Sequence, residues 1–417
     1  MKLARINPIA VALITLGCLS LSLDALAQKA SLFPEPEIAS EQTIEGRRVL
    51  RYEHRSNTAL GYQAPQDDYF HFIPAKETAK NVPLRVVLHS AGCSADIALA
   101  RAFKNPHWLH YYEGEYFHVL YLDCRRNKSI DWWWGYHEIK RNPERYRDKL
   151  TPTEARVLST VEWVIQKYDV DRNRVYLSGI SMGGSGSLGI GLCRGDIFAA
   201  ISVCVPAGVA HIEFRMADGE HPDPPPLFNF SSHVDGWSKG QERLLAYAEK
   251  NKYPVHFAWG VSGHSSDVTA ANPGVLEFPW LSIRKDEAYP VFTRASTDNR
   301  YPGFKNKTAA DQTGQINGYF RWKTIEDSGE RLVMELRLIK SAELKNAINA
   351  PQQATADVTL RRIQKFRISP GAKIEWSLIR EGKVLNTGKI ETNANGNVTV
   401  PELTITDGPS QLHIVRD

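Results

Sequence analysis

Short segments dense in apolar residues, with no regular polar alternation, recur along the first two thirds of the chain. They are Leu84 to Leu88, Phe117 to Leu122, Arg174 to Leu177, Ala199 to Val205, Pro226 to Phe230 and Val255 to Trp259. Segments this short suit strands buried on both faces of a parallel sheet. Arg47 to Glu53 and Tyr69 to Pro74 precede them as opening extended segments. Between the strands lie helical patterns. Thr151-Pro152-Thr153-Glu154 offers an N-cap Thr, a Pro at the first helical position and a Glu three residues after the cap, and Val157, Val161, Val164 and Ile165 follow at helical spacing. Gln241 to Lys250, with Leu244, Leu245 and Ala248 on one face, predicts another helix. Strand, helix and strand in repetition predict a doubly wound α/β domain around a mostly parallel sheet.

From about Tyr289 the texture changes to short strands punctuated by Gly, Asn and Thr. Leu332, Met334, Leu336 and Leu338 alternate with Val333, Glu335, Arg337 and Ile339, and Ile374, Trp376 and Leu378 mark a strand closed by Glu381-Gly382. Asn395-Gly396 marks a further tight turn. The expectation is a C-terminal antiparallel β-sandwich over residues 291–417, appended to a catalytic domain over 28–290.

Residues 1–27 read as a signal peptide. Lys2 and Arg5 precede an apolar run from Ile9 to Leu23, and Ala25-Leu26-Ala27 supplies small residues for cleavage before Gln28. The run, about 15 residues, falls short of the roughly 20 a spanning helix needs. No later segment is apolar enough to span, so the expectation is a soluble secreted or periplasmic protein. Composition adds little: 42% hydrophobic and 24% charged residues are globular values, and 51 Lys and Arg against 47 Asp and Glu is too balanced to argue for nucleic acid as a partner. Export permits disulfides among Cys93, Cys124, Cys193 and Cys204.

The chemistry concentrates at Gly179-Ile180-Ser181-Met182-Gly183, which follows a strand and opens onto a helix of small residues. A turn that sharp leaves room around the Ser only when glycines flank it, and it holds the hydroxyl clear of the sheet at the helix N-terminus. Gly184, Gly186 and Gly189 overlap it as a G-x-G-x-x-G dinucleotide pattern. That pattern belongs on the turn itself, with an acid ending the next strand; here Ser181 occupies the turn and the next strand ends in Cys204-Val205-Pro206. The glycines are therefore read as packing positions. A nucleophilic Ser needs a base and an acid that orients the base, in the chain order Ser, acid, His. Asp235 and His264 follow consecutive strands at their carboxyl ends, the side where Ser181 emerges; Asp267 is the rival acid. The oxyanion donors are expected at the Met182 amide and at Ala91 in the loop His89-Ser90-Ala91-Gly92.

Asp171 to Gly184 as a block, Phe72-Ile73-Pro74, Leu88-His89, Asp235 and His264 together resemble secreted α/β-hydrolase esterases of the feruloyl esterase and polyhydroxybutyrate depolymerase type. The elbow is also similar to that of the prolyl oligopeptidase catalytic domain. The resemblance covers roughly residues 47–270. It implies a serine acyl-enzyme acting on an ester, with no metal or organic cofactor; prolyl oligopeptidases also carry a large propeller, for which the segment before Leu84 leaves no room, and that lowers the peptidase reading. The family loop reads His-Gly where this chain has His89-Ser90.

On that topology Cys93 and Cys124 follow neighbouring strands, so a bridge between them would brace the oxyanion loop, whereas Cys193 and Cys204 point towards opposite edges. Asp131-Trp132-Trp133-Trp134-Gly135-Tyr136 lies in a loop insertion, and at least one of the three indoles is expected to be exposed or to line the cleft as a platform for sugar or phenolic rings, unless the run packs as a lid. The leading expectation is an exported esterase cleaving acetyl or feruloyl esters of polysaccharides. A polyester depolymerase or a small peptidase on the same fold, and a non-catalytic glycan-binding protein on a hydrolase scaffold, stand as alternatives.

Overall fold

In the computed structural model, residues 35–55, 67–76, 80–104, 114–124, 132–134, 150–209, 212, 223–265, 272–304, 313–345 and 349–417 are described. The expected signal peptide, Asp267, and Asp131, Gly135 and Tyr136 of the tryptophan run lie outside them.

The main sheet contains ten strands among the described residues. In chain order they are β1 (Glu37–Ile44), β2 (Arg47–Arg55), β3 (Asp67–Ile73), β4 (Val82–Leu88), β5 (His118–Leu122), β6 (Val170–Ile180), β7 (Ala200–Cys204), β8 (Leu227–Ser232), β9 (Val255–Gly260) and, after β10 (Tyr289–Thr293) of another sheet, β11 (Gly314–Ile316). Their spatial order is β1-β2-β3-β5-β4-β6-β7-β8-β9-β11. Strands β5, β4, β6, β7, β8 and β9 run parallel, and the flanking strands pair antiparallel. The chain passes from β4 to β5 on one side and then to β6 on the other. Loops at the carboxyl ends of β4 and β6 therefore diverge across a crevice, the place where α/β sheets hold their sites.

Every residue of β4 is buried, which is why its sequence shows no alternation. Leu84, Val86 and Leu88 face α2 (Pro152–Lys167) through Val157, Val161, Val164 and Ile165. Val87 faces α1 (Ala95–Lys104) through Ala98, Leu99 and Ala102. The capping box of α2 forms as its sequence predicts: Glu154 N donates to Thr151 Oγ1 at 3.3 Å and Thr151 N to Glu154 Oε2 at 2.8 Å.

The C-terminal strands form two antiparallel sheets. One orders β10, β14 (Gln353–Arg361) and β17 (Val398–Thr406). The other orders β12 (Phe320–Asp327), β13 (Arg331–Leu338), β18 (Ser410–Arg416), β15 (Lys373–Arg380) and β16 (Lys383–Glu391). A single core joins them, with Phe292, Val358, Leu360 and Val400 meeting Leu332, Met334, Leu336, Leu412 and Ile414. Residue 290, where the sequence suggested a boundary, lies inside β10, and β11 returns from the later segment to pair with β9.

These sheets pack at the amino ends of the main strands, away from the crevice. Arg362 donates to Ala199 O just before β7, Tyr289 to Pro224 O before β8, and Arg361 to Asp223. His256, early in β9, is stacked between Phe228 (ring centroids 4.8 Å) and Trp322 (5.5 Å), and its Nδ1 lies 2.9 Å from Asn317 O. Burial, with the Arg321 charge adding to it, lowers its pKa from 6.5 to about 3, against the opposing pull of the Asn317 carbonyl. The folded protein thus keeps this ring neutral while the unfolded chain protonates it below pH 6.5. Stability should fall from about pH 6.5 towards pH 3 by up to roughly 1.4 kcal/mol per unit for this group. His256→Gln, which retains a donor for Asn317 O, is expected to flatten the decline of Tm between pH 6.5 and 4.5; equal slopes in the two proteins would contradict this origin.

Candidate active site

Ser181 follows β6 and occupies the N-cap position of α3 (Met182–Gly191), with φ 56° and ψ −116°. A positive φ on a residue with a Cβ is strained by about 1–3 kcal/mol and persists only where the surroundings enforce it. Glycines do so here. A Cβ at Gly179 would meet Gly183 O at 2.3 Å, and one at Gly183 would meet Leu88 O at 2.0 Å and His89 O at 2.7 Å. The helix start therefore lies directly against the backbone leaving β4. Gly184 and Gly186 are packing positions as expected: Gly184 approaches Cys204 O and Pro206, while Gly186 makes room for Trp133.

Both obstacles at Gly183 are backbone, so rotating a side chain cannot relieve them. Gly183→Ala is expected to destabilise the fold by about 3 kcal/mol or more. Gly260→Ala, whose Cβ would find only the Phe230 ring at 3.7 Å, is the control. Denaturant midpoints for the two variants check this, and similar midpoints would contradict it.

Asp235 and His264 arrive from the ends of β8 and β9. His233 N donates to Gly260 O at 3.3 Å and Gly263 N to Ser232 Oγ at 3.2 Å, which ties the two loops together. Gly263 takes φ 68°, turning the chain to present His264. Ser181 Oγ lies 2.7 Å from His264 Nε2, and His264 Nδ1 lies 2.7 Å from Asp235 Oδ2. An ionised carboxylate only accepts, so the Nδ1 proton belongs on the Asp235 side and Nε2 is left to accept from the serine hydroxyl. Asp235 is buried and saturated with donors: Trp237 N at 2.9 Å to Oδ1 and Ser238 Oγ at 2.8 Å to Oδ2. His264 remains about a third exposed, open to a substrate. Behind the site Cys204 is fully buried, and burial, reinforced by the Asp235 charge, pushes its thiol pKa far up, so it stays protonated.

No protein-family model and no curated protein matches the chain. It is similar to solved structures of esterases and related hydrolases. An S-formylglutathione hydrolase from Agrobacterium tumefaciens is 15% identical, covering 55% of this chain and 93% of that one at TM-score 0.41. A thermostable esterase is 19% identical, covering 57% of this chain and 63% of that one at 0.42. An acetyl xylan esterase from Aspergillus awamori is 13% identical, covering 51% and 93% at 0.36.

The Met182 amide is the first of its helix, among those that no intrahelical carbonyl can satisfy. Ala91 sits in an exposed turn on the loop that Gly183 abuts. His89 shapes that loop with its side chain as well as its backbone: Nδ1 lies 2.9 Å from Ser90 O, and Nε2 accepts from Cys124 N at 3.1 Å.

Two expectations are corrected. Cys93 and Cys124 follow neighbouring parallel strands, yet no disulfide joins them. The Cys93 sulfur receives Ser90 Oγ and Arg101 Nη1, each at 3.2 Å, whereas Cys124 is buried in the core on the α2 side. Hydrogen bonds brace the loop instead. Nor is Cys193 or Cys204 in a disulfide.

The tryptophan run is not an exposed platform: Trp133 and Trp134 are fully buried, and Trp132 is half-buried against the same core. Trp133 Nε1 donates to His89 O at 2.9 Å and Trp134 Nε1 to Ser185 Oγ at 3.0 Å, so the pair clamps the loop after β4 to α3. Left-handed backbone at Trp132 (φ 42°) and Trp133 (φ 70°) turns adjacent indoles into one core. The sequence reading also passed over Ser238 and Trp237. Their signal was position, immediately after the candidate acid. Among the described residues no group of three His, Cys, Asp or Glu side chains is placed to hold a metal ion, and no helix is long and apolar enough to cross a membrane.

Proposed function

We propose that this protein is a serine hydrolase of carboxylic esters. The observation that carries the reading is the continuous relay Ser181–His264–Asp235, with both links at 2.7 Å and the serine on a strained turn. Ser181 Oγ attacks the ester carbonyl while His264 Nε2 takes its proton, and Asp235 orients the ring and stabilises the imidazolium. The Met182 and Ala91 amides hold the oxyanion of the tetrahedral intermediate. The intermediate collapses to an acyl-serine, His264 returning the proton to the departing alcohol. Water, deprotonated by the same imidazole, then releases the acid and restores Ser181.

The substrates in this reading are acetyl or feruloyl esters of polysaccharides, and the protein is exported with residues 1–27 removed. In this reading the catalytic unit runs from residue 28 through β9 and takes in β11, while the sandwich of β10, β12–β18 contacts strand ends remote from Ser181, which favours bracing over a share in catalysis. The test is turnover of p-nitrophenyl acetate and methyl ferulate by the purified protein: hydrolysis of either supports the reading, and the preferred ester identifies the acyl group. Inactivity on both, combined with retention on a glycan affinity gel, would replace it with the binding-protein reading.

A further inference from the structure

The loop carrying Asp235 does more than present a carboxylate. It continues as a 3-10 turn, Gly236–Ser238, fixed at several points. Trp237 N donates to Asp235 Oδ1 at 2.9 Å, Trp237 O accepts from Gly208 N at 2.9 Å, and the Ser238 hydroxyl reaches Asp235 Oδ2. This backbone is held as firmly as the triad itself, yet the Trp237 side chain it projects is 61% exposed. An indole left in water forgoes the large transfer energy that draws other tryptophans here, such as Trp133, Trp134 and Trp259, inside. Folding gives no account of it. Its position does: the ring centroid lies 6.4 Å from that of His264, tilted by 52°.

Which end of the substrate this ring meets follows from the chemistry proposed above. His264 Nε2 must hand its proton to the departing alkoxide, so the alcohol half of an ester lies along the imidazole. The carbonyl oxygen turns the other way, towards the Met182 amide. A ring beside His264 therefore borders the leaving-group side. The same loop is flanked by a second aromatic: a Cβ on Gly236 would stand 3.6 Å from the Phe304 ring, over which the Lys239 ammonium lies at 5.0 Å.

Resting on the serine esterase reading, we infer that Trp237 is the specificity-determining platform of the leaving-group subsite, taking the flat face of a ring carried by the alcohol half of the ester. A pyranose and an aryl group share that chemistry. The acyl half does not touch it.

The test holds the acyl group constant and varies the alcohol: ethyl acetate, phenyl acetate and an acetylated xylo-oligosaccharide, each with wild type, Trp237→Ala and Trp237→Phe. Trp237→Ala is expected to lower kcat/KM on a ring-bearing ester roughly tenfold more than on ethyl acetate, mainly through KM, with Phe recovering part of the difference. The ester that shows the excess loss tells sugar from aryl. Equal losses on all three esters, or none, would overturn the inference.

A readout independent of turnover separates its failure from failure of the esterase reading. Xylobiose or phenol is titrated against the Ser181→Ala protein with and without Trp237→Ala, following tryptophan fluorescence. A ring-alcohol response that disappears with Trp237 supports the platform even if no ester is cleaved. A response unchanged by the substitution, or none at all, overturns it.

Discussion

Ser181→Ala is expected to reduce kcat on any ester this protein cleaves by about 10⁴- to 10⁶-fold, with little change in KM. The magnitude follows from what the substitution removes. Without the hydroxyl there is no acyl-enzyme, and His264 and Asp235 then have no attacking group to activate, so the loss approaches that of removing the whole relay. A residual rate above water should survive, because the Met182 and Ala91 amides would still polarise a bound carbonyl. Stability should change little: the hydroxyl's one bond at the elbow is to His264, and alanine retains the Cβ already accommodated at φ 56°. Steady-state kinetics with thermal melts check both halves. A fall of less than a hundredfold with an unchanged melt would remove Ser181 from the chemistry.

Asp235→Asn is expected to cost about 10⁴-fold in kcat while leaving the fold intact. Oδ1 holds Trp237 N, and an asparagine carbonyl can keep that bond. The amide nitrogen then faces His264 Nδ1 and Ser238 Oγ in place of Oδ2. Ser238 can reverse its hydroxyl and accept. His264 cannot do so without shifting its proton to Nε2, the tautomer in which it no longer accepts from Ser181. The effect is thus one of proton placement at unchanged geometry. The variant should recover partly at high pH, where the serine no longer depends on imidazole to lose its proton. A pH–rate profile checks this; an Asp235→Asn protein with near wild-type kcat would contradict the orienting role.

Parts of this arrangement were legible in the chain because each rests on local constraints. Gly179 is required by a contact with Gly183 on the same turn, and the buried strands are short and nearly free of polar interruption. Asp235 and His264 were reachable because chain order and strand ends together limit where an acid and a base can lie. What escaped the sequence depends on geometry without a periodic trace. The three-residue strand β11 is too short to show a pattern. The helix α1 buries largely alanines, a face that reads as neutral. Trp133 and Trp134 share a core only because two successive residues adopt left-handed backbone, which no periodicity argument anticipates. Cys93 and Cys124 sit at adjacent strand ends, but the Cys93 sulfur turns to Ser90 and Arg101 while Cys124 lies in the core on the α2 side, a divergence that strand order alone does not give. The exposed indole of Trp237 passed unnoticed because a lone tryptophan in a loop carries no signal until the position of His264 is known.

The central claim is that Ser181 is the nucleophile that accepts the acyl group, and covalent trapping tests it most directly. The protein is treated with phenylmethylsulfonyl fluoride, weighed intact, digested and mapped, while ester hydrolysis is followed in parallel. One sulfonyl adduct on the peptide containing Ser181, loss of activity in proportion to labelling, and no adduct in Ser181→Ala are the expected results. An ester-hydrolysing protein whose activity is lost through labelling at another residue, with Ser181 unmodified, would contradict the account.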